Sequence, residues 1–285
     1  MLRTRIITAV ILALLFVGAL FFLSERGWRL FTFVIVMLAF WEWARIARFS
    51  GIGSKVFIAA SLAAGAAFCY ALSADGGPVF ERARGIVATA FAAASLFWIV
   101  IVPLWLKFGW RPTNALLLAA TGWVVIFPTW FALMLHRDIS PWYLLGLMAL
   151  VWVADISAYF AGHAFGRHKL APGISPGKTW EGVAGAIVGV LAYAVLSCWL
   201  LSRYGEGVAG IAVHSWPAIV IAFVILAALS ILGDLFESWM KRGAELKDSS
   251  NLLPGHGGVL DRVDALTSTL PVAPFIFLWL GKWLG

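Results

Sequence analysis

Long apolar runs broken by short polar stretches make up most of the chain. Nine of them, at about 6–23, 30–46, 56–74, 85–106, 114–135, 142–165, 182–201, 216–236 and 265–284, approach the length of a membrane crossing. A helix needs roughly 20 mostly apolar residues to span a hydrocarbon core of ~30 Å. Runs such as 6–16 do not alternate apolar and polar positions, as the strands of a transmembrane barrel do. The pattern therefore predicts an all-α, polytopic integral membrane protein with about nine transmembrane helices. No strong internal repeat or low-complexity linker divides it, so 1–285 reads as a single membrane domain.

Composition supports this. The 285 residues are 62% hydrophobic and 12% charged, and the mean hydropathy is +0.93. Soluble domains carry about 25% charged residues, so a soluble globular protein is excluded, and disorder with it. Cys69 and Cys198 both lie inside apolar runs, which leaves no disulfide framework and no cysteine-rich metal cluster to read. The net charge of +7 fits loop orientation better than nucleic acid, so no nucleic-acid partner is expected. With a cytoplasmic N-terminus, 14 of the 21 Lys and Arg fall on the inner side. The first run follows Arg3 and Arg5, and Ser24-Glu25-Arg26-Gly27 is a poor cleavage site, so it is expected to be an uncleaved anchor. The sixteen tryptophans scatter along the chain, and some are expected at headgroup level.

This topology puts the two chemically varied loops, 166–181 and 237–264, in the cytoplasm. Nine of the fourteen acids and four of the five histidines fall between Asp155 and Asp264. The region 151–285 is thus the expected catalytic part, and 1–150 holds N-terminal helices with no assigned role. If the eighth helix continues past the interface, Asp234, Ser238 and Lys241 share one face. Asp261 and Asp264 are one turn apart if the ninth begins near Leu260, where acids also suit the positive end of the helix dipole. Carboxylates from two elements beside several cations describe a site for a metal-bound phosphate ester. Mg2+ takes one or two carboxylates and completes its shell with water and phosphate oxygens, and Asp234 and Asp261 suit that role. Lys241, Arg242, Lys247 and Arg262 are expected to neutralise phosphate charge. Gly255, Gly257 and Gly258 are expected to let backbone amides approach an anion. Asp248 lies in the same text.

The earlier loop ends in Gly177-Lys178-Thr179, but Pro172 stands where a Walker A loop needs glycine, so a P-loop is rejected. Ser175, Lys178 and Thr179, just before a helix, still offer phosphate two hydroxyls and an ammonium. Asp155 falls about ten residues inside the sixth helix, near mid-bilayer depth at ~1.5 Å per residue. An ionisable group there points to function, the alternative being a polar clasp between helices. His163 and His168, five apart, do not make a zinc site, and His256 between glycines reads as a phosphate ligand or proton donor.

The run Ser238-x-Met-Lys-Arg-x4-Lys-Asp-x-Ser-x2-Leu-Pro-x-His-Gly-Gly-Val-x-Asp-Arg-Val-Asp264 resembles the signature of phosphatidate cytidylyltransferases, also called CDP-diacylglycerol synthases. The stretch from Asp155 through Tyr159, Gly162, His168-Lys-Leu and Ser175-Pro-Gly-Lys-Thr-Trp-Glu181 is similar to that family's other polar region. Before residue 150 the likeness is limited to apolar text, an Arg-x-Arg start and a Trp41-Glu42-Trp43 patch. The resemblance implies transfer of a cytidylyl group from CTP to phosphatidate, giving CDP-diacylglycerol and pyrophosphate. It implies Mg2+ at Asp234 and Asp261, with a second cation left open, a homodimer, and a polar intramembrane cavity open to cytoplasm and lipid, in the bacterial inner membrane with the active site facing the cytoplasm. Candidate catalytic residues are then Asp234, Asp261, Lys247 and Asp264. Candidate phosphate-binding residues are Ser175, Lys178, Thr179, Lys241, Arg242, His256 and Arg262, with Asp155, Ser238 and Asp248 in the cavity. Two alternatives stay open: a CTP-dependent polyprenol kinase of the dolichol type, which releases CDP, and a secondary transporter.

Overall fold

The computed structural model describes residues 2–73, 79–204 and 216–277. Helices α1 (Leu2–Phe22), α2 (Glu25–Ile46) and α3 (Gly51–Ser73) are followed by α4 (Val79–Leu96), which continues through a π-helical turn at Phe97–Ile101 into α5 (Val102–Phe108). Then come α6 (Ala115–Ile139) and α7 (Pro141–Phe165), a ribbon of β1 (Lys169–Ala171) and β2 (Ser175–Thr179), and α8 (Trp180–Tyr204), α9 (Trp216–Gly243) and α10 (Leu260–Thr269). Short polar residues mark several starts, as expected for side chains that satisfy free amides in a first turn. Asn114 Oδ1 accepts the N–H groups of Leu116 and Leu117 at 2.9 and 3.0 Å. Ser140 caps α7, with Pro141 in its first turn.

Among the described residues, six helical stretches are long and apolar enough to cross a membrane: Gly51–Tyr70, Gly85–Phe108, Ala115–Ile139, Pro141–Phe165, Trp180–Leu200 and Pro217–Gly243. The three other expected runs differ for identifiable reasons. The apolar part of α1, Ile6–Phe22, is shorter. Helix α2 carries Glu25, Arg26, Arg29, Glu42 and Arg45. The run at 265–284 is not one helix where it is described: α10 stops at Thr269, a turn containing Pro271 intervenes, and helix resumes over 273–277. Proline cannot donate within a helix. The remainder of that run lies outside the described residues.

Helix α6 packs against α2, α4, α7 and α10, and α9 packs against α8 and α10. Trp28, Trp43, Trp98 and Trp130 are fully buried, so these indoles belong to the core and not to the headgroup level. Trp43 Nε1 donates to Leu118 O at 2.9 Å and Trp130 Nε1 to Thr32 Oγ1 at 3.1 Å. In a membrane, where lipid removes the hydrophobic drive between helices, such bonds and close packing hold helices together.

The closest helix pair, α7 with α8, depends on Gly182, Gly185 and Gly189, which repeat along one side of α8. A Cβ on Gly185 would sit 2.2 Å from Ala161 Cβ and 2.9 Å from Ser157 O. This approach brings Asp155 and Gly162 of α7 beside the ribbon that leads into α8. Gly185→Val is expected to lower stability by about 1–3 kcal/mol through overpacking. Thermal unfolding of the detergent-purified variant, compared with wild type, checks this; an unchanged melting temperature overturns it.

Candidate active site

The loop expected at 166–181 folds as a ribbon. β1 and β2 pair antiparallel, with Lys169 opposite Thr179 and Ala171 opposite Ser175. Pro172 and Gly173 occupy the middle of a turn closed by Ile174 N–H donating to Ala171 O at 3.1 Å, a common use of this residue pair. The base is clasped by Glu181, which accepts the His168 backbone N–H and contacts His168 Nδ1 at 2.6 Å. Thr179 Oγ1 accepts Gly182 N–H at 3.1 Å, so Thr179 is a helix cap as well as a cavity residue. Lys178 therefore projects from an ordered platform. Its ammonium lies 2.5 Å from Asp234 Oδ2 on α9.

The second loop, between α9 and α10, is organised by two buried carboxylates. Asp261 Oδ2 accepts Ser249 N–H at 2.8 Å, Ser249 Oγ–H at 2.9 Å and Gly258 N–H at 2.7 Å. Its Oδ1 lies 2.5 Å from Lys241 Nζ, which also donates to Glu237 Oε2 at 3.1 Å. The other carboxylate is Glu42 on α2, with no exposed surface. It accepts Ser250 Oγ–H at 2.6 Å, Val259 N–H at 2.9 Å and Leu260 N–H at 2.7 Å, and its Oε2 lies 3.1 Å from Ser249 Oγ, whose one proton it shares with Asp261. The first turn of α10 is thus capped by a residue more than 200 positions away. Gly258 is required here, since a Cβ would fall 2.0 Å from Ser249 Oγ and 2.2 Å from Glu42 Oε1. This corrects the expected use of these glycines: Gly258 offers its amide to Asp261, so that part of the loop approaches the protein's own carboxylates.

The two loops enclose a cavity of about 760 Å³, lined among others by Asp155, Ser175, Lys178, Thr179, Asp234, Lys241, Asp248, Asp261, Arg262 and Asp264. Sequence reasoning missed His163 and Tyr159 on its wall, stacked at 6.0 Å between ring centres. A second pocket, of about 590 Å³, adjoins it through Asp248 and Arg262 and is lined by Lys247, Asn251, His256 and the Pro254-Gly255 turn. Ser238 supports the site by donating to Asp234 Oδ1 at 3.2 Å. Arg242 departs from expectation: it lines neither space and donates to Leu246 O at 3.1 Å, tying down the end of α9.

Burial raises the proton affinity of Asp261, but the Lys241 ammonium and the Gly258 and Ser249 amides outweigh it and hold its pKa below the ordinary value. Burial, reinforced by the charge of Asp234, pushes Asp264 up to about 7. The cavity offers a cation carboxylate oxygens, the donor type of a hard metal ion. Among the described residues no group of three or more His, Cys, Asp or Glu is placed to hold a metal. A divalent ion here has to take further ligands from water or phosphate, which fits Mg2+.

Comparison with known proteins agrees with this class of site. The model of the cytidylyltransferase family matches residues 3–280. The phosphatidate cytidylyltransferase of Pseudomonas aeruginosa is 37% identical over 283 residues, 99% of each chain. That of Haemophilus influenzae is 33% identical over 294 residues, 98% of this chain and 100% of the relative. A Brucella abortus protein of the same name is 34% identical over 94% of this chain and 90% of its own. The chain belongs to the cytidylyltransferase family. The relatives it matches over nearly its whole length are phosphatidate cytidylyltransferases.

Glu42→Gln places an amide where only acceptors fit, facing hydroxyl or backbone donors. It is expected to cost about 1–3 kcal/mol, read by unfolding in detergent, and to lower turnover. A variant as stable and active as wild type overturns the anchoring role. A second expectation follows from Asp264, whose folded pKa lies above the unfolded value of about 3.9. The folded state then binds the proton more tightly, so the stabilisation is full below about pH 4 and is lost as pH rises through about 7. Asp264→Asn flattens this slope, which a series of melting temperatures across that range checks.

Proposed function

We propose that the chain transfers the cytidylyl group of CTP to phosphatidate, releasing pyrophosphate and leaving CDP-diacylglycerol in the bilayer. The observation that carries this is the joining of the two polar loops around one cavity, where lysines sit against carboxylates at the end of apolar helices. Family membership and the matched relatives supply the substrates. Phosphatidate brings its own nucleophile, a phosphate oxygen that attacks the α-phosphorus of CTP as the bond to pyrophosphate breaks. No side chain has to serve as nucleophile, so catalysis is positioning and charge neutralisation.

In this reading Asp234 and Asp261 would hold Mg2+, which would supply Lewis-acid polarisation of phosphate oxygens. Lys178 and Lys241, each 2.5 Å from one of those carboxylates, stand within reach of phosphate ligands at the same place. Arg262, shared by the cavity and the outer pocket, bridges the positions of the two polyanions. Lys247 and His256 in the outer pocket contact the nucleotide, and Asp155, Asp248 and Asp264 shape the field around the reacting phosphates. The active site faces the cytoplasm, where CTP is found, and the enzyme resides in the bacterial inner membrane as a homodimer. A polyprenol kinase would release CDP.

Purified enzyme in mixed micelles is expected to release pyrophosphate from CTP only with both phosphatidate and Mg2+ present; CDP as the product overturns the reading. Asp234→Asn is expected to reduce kcat by more than about a hundredfold while the protein stays folded. A folded variant of near wild-type rate removes Asp234 from the metal site.

A further inference from the structure

The polar cavity continues into an apolar furrow. A groove of about 330 Å³ runs between α8 and α9 and shares Leu170, Val183 and Ile231 with the cavity wall. On α8, Val183 and Ile187 follow at an interval of four, one turn beyond Thr179 at the end of β2. On α9, Asp234, Ile231, Ala228 and Val224 follow at three, three and four, so each series keeps to one helix face. Both faces start at the Lys178–Asp234 pair and become wholly apolar within one turn. The groove is shallow where Ala186 and Ala227, both buried, let the helices approach, and it is open beside the exposed Ala228.

Resting on the proposed function, we infer that this groove seats one acyl chain of phosphatidate. In that lipid the phosphate is joined directly to the glycerol. A headgroup held at Lys178 therefore needs an apolar path that begins at the cavity wall and leads away from the charges. The groove begins at Leu170, Val183 and Ile231 and meets that need, while the outer pocket around Lys247, Asn251 and His256 meets the cavity instead at Asp248 and Arg262 and is polar. The remaining chain stays in bulk lipid. The groove thus makes the enzyme sensitive to acyl length on one chain.

The test fills the groove at Ala228, which the reaction does not use. Ala228→Phe is assayed in mixed micelles with CTP and either dihexanoyl or dipalmitoyl phosphatidate. The expected result is a fall of about tenfold in kcat/KM for the long-chain lipid with less than about a twofold change for the short one and for the KM of CTP. Val224→Phe, one turn further from Asp234, is expected to spare dioctanoyl phosphatidate and to impair only longer chains. Equal loss for all lipids, or no loss for any, overturns the inference. Equal loss together with a changed oligomeric state by light scattering assigns the groove to a second copy of the chain. Failure of the wild-type enzyme to use either lipid with CTP overturns the proposed function and is distinct from these outcomes.

Discussion

The polar loop between α9 and α10 is arranged around one carboxylate that α2 carries into the interior. Glu42 has no exposed surface, and its four donors are all neutral: two serine hydroxyls and two backbone amides. A buried charged group is costly unless its oxygens are fully hydrogen bonded. Satisfying it forces the 244–259 loop to fold back onto α2 and the first turn of α10 to point at it. Ser249, held by Glu42, donates in turn to Asp261, and Asp261 receives Lys241. Helix α2, which carries little of the recognisable chemistry, thereby holds the polar loop before α10 in place.

The opposite wall depends on shape. Glycines of α8 let its backbone approach α7, and the ribbon between them delivers Lys178 to Asp234. The two lysine–carboxylate pairs thus come from different elements: Lys178 of β2 with Asp234 of α9, and Lys241 of α9 with Asp261 of α10. Helix α9 contributes to both, so a shift along its axis alters both at once. At a site proposed to take two polyanions, this coupling has a clear use. The cations are already positioned, and little reorganisation is needed when charge moves to the leaving group.

Much of this was legible in the residues. Most apolar runs gave helices, and ten of the site residues expected from the text between Asp155 and Asp264 line the cavity: carboxylates, lysines, hydroxyls and an arginine. The start of α10 at Leu260 matched the spacing of Asp261 and Asp264. Arg242 ties down its own helix end, an arrangement that its place in the sequence does not reveal, because a cation there looks the same whether it faces a ligand or the backbone. Glu42 was noticed only as part of a Trp-Glu-Trp patch, since no local pattern tells a buried anchor from an acid at a helix end. The buried tryptophans were similarly ambiguous, because an indole suits an interface and a core equally well.

By itself, then, the sequence determined that the chain is built of apolar helices suited to a bilayer, and which acids and cations were available for phosphate chemistry. Apolar length and charge scarcity are local quantities, and they suffice for that. The tertiary structure alone decided which carboxylate meets which cation, that the loop glycine amide at Gly258 serves Asp261, and that an apolar groove leaves the cavity between α8 and α9. Those pairings join residues as far apart as Glu42 and Leu260. Only the packing of whole helices brings such groups within hydrogen-bonding distance, and no spacing along the chain encodes it.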